Sequence, residues 1–165
     1  MNNPREVVSV ALFSLFTPLL GPGGVPTPSQ PFALVTRLYP NKAVIESSPQ
    51  PALYLLEADE NDDEQQTYAA QRYILRFRLF VFGQTPDDGQ TAPGTIINPL
   101  LDAVDQAMGA TPAGTPLNGM NQYLVNIGQP PLVANAWING RVFKSYSELN
   151  SQNFAVVPIS VITGQ

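Results

Sequence analysis

Arg72–Phe82 reads RYILRFRLFVF, and its alternation decides the fold. Tyr73, Leu75, Phe77, Leu79 and Val81 fall on one side and Arg76 and Arg78 on the other, the period of two that a half-buried strand requires. Eleven residues at strand spacing extend about 36 Å, whereas a globule of 165 residues has a radius of gyration of about 15 Å. The strand therefore crosses the body, either at the centre of a sheet or as a projecting hairpin.

Downstream, Gln84–Gly94 is a polar loop with Pro86-Asp87-Asp88-Gly89 as its turn. Thr95–Met108 then carries Ile97, Leu100, Leu101, Val104 and Met108 at helical spacing with Asp102 and Asp105 opposite, and Asn98-Pro99 suggests that the well-formed helix begins there. Gly109 is a natural stop, and Ala110–Gly119 is a Pro/Gly-rich loop. Val133–Ile138 and Arg141–Tyr146 flank Asn139-Gly140, the strongest short-range hairpin signal. Phe154–Ile162 is a last strand, with Pro158 pointing to an edge or a bulge.

Upstream, Pro51–Leu56 is a short strand, followed by six acids within the eight residues Glu57–Glu64, a self-repelling run expected in solvent. Phe32–Tyr39 alternates as a strand and pairs with Ala43–Glu46 across Pro40-Asn41. Gly21–Pro31 (GPGGVPTPSQP) is a loop or arm without regular structure. Asn3-Pro4-Arg5-Glu6 starts a helix that runs to about Phe16, with Asn3 as N-cap, Pro4 at the first helical position and Glu6 in a capping box. Eight of the ten residues Val7–Phe16 are apolar, so this helix must be covered on more than one side, by its own core or by a neighbouring subunit. The order predicts one α+β domain, residues 1–165: an antiparallel sheet with two helices packed on one face, joined by long Pro/Gly-rich loops.

Composition narrows the chemistry. The chain has no histidine and no cysteine, so Ser-His relays, imidazole zinc sites, disulfides and thiol nucleophiles are excluded. Charged residues are 13%, against about 25% in ordinary domains, which leaves uncharged polar surface suited to protein contact. The net charge of −5, with scattered Lys and Arg, argues against holding nucleic acid. Val7–Phe16 is too short and too interrupted to cross a bilayer, and Glu6 spoils the basic flank of a secretion signal, so no membrane partner is expected.

Asp59, Asn61 and Asp63 match the first ligands of a calcium loop, but Glu64 stands where glycine is needed and Ala70 where a bidentate glutamate is needed. Asp102 and Asp105 read as ordinary helix surface. No catalytic, metal or cofactor residue is assigned. Arg76 and Arg78 share a face and need partners; meeting the acidic run within one subunit would make a structural ion pair of modest value, and meeting it between subunits, the reading preferred, would supply register and specificity. The interface expected is thus Val8, Leu12 and Phe16 of the first helix, Arg76 and Arg78, and Asp59, Glu60, Asp62 and Asp63, with Asp87, Asp88, Asn118 and Asn121 on contact loops.

The segments PREVVSVALFSLF, FALVTRLYP, QPALYLLEADEND, YILRFRLFVFG, IINPLLDAVDQAM, VANAWINGRVF and FAVVPISVI follow one another over nearly the full chain. In order and spacing, and in words such as Gln50-Pro51-Ala52, Asn98-Pro99-Leu100-Leu101-Asp102 and Ile138-Asn139-Gly140, the chain resembles the tail terminator, or tail completion, proteins of tailed bacteriophages. It departs from them in the Pro-rich stretch 21–31 and in lacking a double glycine near Ile127-Gly128. The resemblance implies a six-membered ring in the virion that caps the tail tube, ends its polymerisation and meets the neck or head completion protein, while DNA passes through a negative lumen unbound. Competing readings are a neck or adaptor protein of the head-tail connector, and a carboxylate enzyme using Glu57–Glu64 with a divalent cation.

Overall fold

The computed structural model describes residues 4–38, 45, 47–62, 73–109, 124, 128, 132–140, 142–146 and 152–163. Asn3, the Pro40-Asn41 turn, Asp63, the loop 110–119, Asn118, Asn121 and the side chain of Asp62 lie outside the described residues. The elements are α1 (Pro4–Ser14), β1 (Leu34–Thr36), β2 (Ala52–Asp62), β3 (Tyr73–Gln84), α2 (Pro93–Gly109), β4 (Val133–Ile138), β5 (Phe143–Tyr146) and β6 (Gln152–Thr163). The fold is α+β, with one sheet in the order β1-β2-β3-β6-β4 and β5 also on β6.

β3 takes the centre, flanked by β2 and β6 along almost its whole length, as its alternation requires. The odd-numbered set Leu75, Phe77, Leu79 and Val81 is buried against both helices, joined by Leu53 and Leu55 of β2 and Ala155, Val157, Ile159 and Val161 of β6. The α2 stripe is the one the spacing gave: Ile97, Leu100, Leu101, Val104 and Met108 are all buried. Each such side chain contributes about 1.5–3 kcal/mol when fully removed from water, so this stripe fixes α2 on the sheet. The helix begins earlier than Asn98-Pro99, at Pro93, and runs through Pro99.

Four local expectations are corrected. Within 32–38, the described part of the strand expected over Phe32–Tyr39, the strand is only the three-residue β1, which pairs parallel with β2 (Leu34 with Ala52), making the sheet mixed. Of the expected partner strand 43–46 only Ile45 lies within the described residues, and it is helical and packs with Ala52, Tyr54 and Phe82. Gly21–Pro31 is not wholly irregular, since Pro22–Gly24 makes a 3-10 turn, with Gly23 and Gly24 at positive φ, and Leu20 bridges Phe32. The first helix ends at Ser14 and passes into a second 3-10 turn at Thr17–Leu19.

The Asn139-Gly140 hairpin also gives way. β4 and β5 do not pair with each other; both run antiparallel to β6, end to end along one edge. β6 is twelve residues long, and a folded-back hairpin would leave half of that edge unpaired. Asn139 instead donates its N–H to the Pro158 carbonyl at 2.8 Å and the chain jogs outward, with Gly140 at φ 101°. A strand residue directs its own N and O to the same side. The missing N–H of Pro158 therefore faces this jog, where no ladder bond is due, and β6 is an interior strand despite its proline.

Candidate assembly surfaces

The acidic run is strand through Asp62, paired with β3, and three arginines lie beside its acids. Between Glu57 and Glu60 the register slips: Glu57 pairs with Phe77 and Glu60 with Leu75, so Ala58 and Asp59 together oppose Arg76. This bulge keeps Glu57 and Glu60 on the helix side and turns Asp59 to the opposite side. Arg5 of α1 grips Glu60 with two hydrogen bonds, at 2.7 and 2.8 Å, and lies 4.6 Å from the Tyr73 ring centroid. Arg37 binds Glu6 at 2.8 and 3.0 Å, donates to Ser9 Oγ at 2.8 Å and approaches Glu57 at 3.8 Å. Arg76 meets Asp59 at 3.3 Å.

These pairs are half exposed, so they orient α1 and the β1 end more than they stabilise them. The hydrogen bonds from Arg37 and Arg5 hold the Glu6 and Glu60 carboxyls below the usual range. Arg76 and Glu60 therefore find partners inside their own chain. From the sequence Arg5 reads only as part of the helix start and Arg37 carries no role; Arg5 is 55 residues from Glu60, and only the fold brings them together.

Val8, Leu12 and Phe16 are completely buried in the chain's own core, so they present no surface to a neighbour. Of the first helix, Val10 is the large apolar side chain left exposed.

The sheet face opposite the helices is closed at one end, where Ile45 packs on Ala52, Tyr54 and Phe82, and is more open around Leu56, Arg78 and Pro158. Direct cross-strand partners share a face, which defines its rows: Tyr54, Phe80, Val156 and Phe143; Leu56, Arg78 and Pro158; Arg76, Ser160 and Trp137. At one end aromatic rings follow one another, with Tyr54 edge-on to Phe82 at 5.6 Å, Phe82 to Phe154 at 5.8 Å and Phe154 to Phe143 at 6.1 Å. Phe143, at 59% exposure, brings that cluster to the surface. Leu56, Val156, Pro158, Ile162 and Trp137 are only half buried. Arg78 is exposed in the middle of this face and makes no ion pair among the described residues.

On the helix side, α2 lines a cleft against β5 with Asn98, Leu101, Asp102, Asp105, Val142 and Lys144. Lys144 donates to Asn98 Oδ1 at 2.8 Å. Burial, and then the neighbouring Asp102, raise the Asp105 carboxyl above its ordinary value. In the loop before α2, Asp88 accepts from the backbone of Gln90 and Thr91 and from the Thr91 hydroxyl, which draw it down to about 2; Asp87 is exposed beside it. Among the described residues no three carboxylates stand together as a metal site, and no helix is long and apolar enough to cross a membrane.

No protein-family model matches this chain, and no curated protein matches it. Among solved structures, a chain in the virion of a native gene transfer agent particle has a similar fold, with a TM-score of 0.50 and 11% identity over 99% of this chain and 100% of that one. At that identity the likeness is one of fold, and it extends from end to end of both chains.

Proposed function

We propose that this chain is a structural virion subunit that closes with further copies into a ring, caps a tail tube, ends its polymerisation and joins it to the neck or head completion protein. The observation that carries the proposal is the end-to-end likeness to a virion chain. A half-exposed apolar sheet face supports it, because a monomer gains by covering such a face and a head-to-tail contact that closes makes a ring. The acids of β2 favour it over a carboxylate enzyme, since Glu57, Asp59 and Glu60 each lie beside an arginine.

The test is to image the purified protein by electron microscopy and then add it to growing tail tubes. Rings that seat on tube ends and fix tube length are expected. Absence of both rings and end-binding overturns the proposal, and end-binding without arrest of growth makes the chain an adaptor instead.

A further inference from the structure

We infer that the open sheet face is covered by a second copy of this chain, which lays the acid-bearing side of its α2 across Arg78. The inference rests on the self-assembly proposed above and specifies which surfaces meet. Three features point to this occupant. Arg78 sits between Leu56 and Pro158, so a partner covering those apolar side chains must also answer a cation. Burying that cation unanswered would cost more than the apolar contact returns.

The chain itself displays the complementary charge. Asp102 and Asp105 are exposed one helical turn apart, and neither makes an ion pair among the described residues. Lys144 shares their cleft but hydrogen-bonds Asn98.

The two surfaces also lie on opposite faces of one sheet. No copy can satisfy itself, and each copy offers one surface to the copy before it and the other to the copy after it. Such a contact is heterologous by construction. It adds a helix over the part of that face around Leu56, Arg78 and Pro158 that the chain leaves half exposed, giving the sheet a helix on each side.

The experiment measures mass by light scattering and sedimentation over a range of concentrations for four full-length chains: wild type, Arg78→Glu, the pair Asp102→Arg with Asp105→Arg, and all three substitutions together. Each charge-reversed surface should weaken association about tenfold or more without lowering the melting temperature of the dilute protein, and the triple variant should regain association. If wild type associates but all variants match it, or if the triple is no better than its parents, this pairing is wrong while the ring survives. If wild type stays monomeric and ignores tube ends, the proposed function itself fails. A labelled single-stranded oligonucleotide bound by wild type and released by Arg78→Glu, with mass unchanged, would overturn the pairing in favour of a nucleic-acid platform.

Discussion

Gly83 sets how closely α2 approaches the sheet. A Cβ there would stand 2.9 Å from Ile96 Cγ2 and 3.3 Å from Leu100 Cδ1, so the helix would have to lift. Gly83→Ala should lower stability by about 1–3 kcal/mol through overpacking, read as a lower denaturant midpoint with an unchanged slope. Two carboxyls make opposite predictions with pH. Glu60 has its folded value below the unfolded one, so its contribution is present above about pH 4.3 and lost as pH falls through the folded value. Glu60→Gln should therefore melt earlier than wild type at pH 6, with the difference closing on acidification. Asp105 is raised, so its charged form burdens the fold once pH climbs past the unfolded value of about 3.9. Asp105→Asn should melt later than wild type at pH 7, with no difference in strong acid, measured at concentrations where the protein is monomeric.

At the scale of elements, the jog between β4 and β5 accounts for Pro158. Pro158→Ala restores an N–H that faces no ladder partner, and its effect should stay within about 0.5 kcal/mol. Val157→Pro should instead abolish cooperative unfolding, because residue 157 opposes Leu79 and directs its N–H into the β3 ladder. The contrast between these neighbours can be read by urea titration. It also marks what was legible beforehand. The β3 alternation and the α2 stripe are written in consecutive residues, so their burial could be read directly. Asn139-Gly140 is a local signal that yielded to a distant fact, the length of the β6 edge. Glu57–Glu64 reads as solvent-exposed by charge, and Glu57–Glu60 are exposed; that Glu57–Asp62 is also strand follows from pairing with β3, with Arg5, Arg37 and Arg76 beside its acids, which no local pattern connects to it. Val8, Leu12 and Phe16 turn to the chain's own core, which the sequence could not say, because an apolar helix looks the same whether it faces its own core or a neighbour.

For the molecule as a whole, both helices share one apolar core with β2, β3 and β6, so the chain should unfold as one domain. Far-ultraviolet circular dichroism and tryptophan emission should trace the same thermal transition at low concentration; separated midpoints would divide the domain. The α+β class was readable because it depends on the order of strongly patterned elements, whereas the parallel placement of β1 depends on a connection with no such pattern. Trp137, the only tryptophan, is half buried in the row of Arg76 and Ser160 on the open face. The protein therefore carries its own label-free optical gauge of whether that side is wet: a shift of its indole emission to the blue with rising concentration would time the closing of one molecule upon the next.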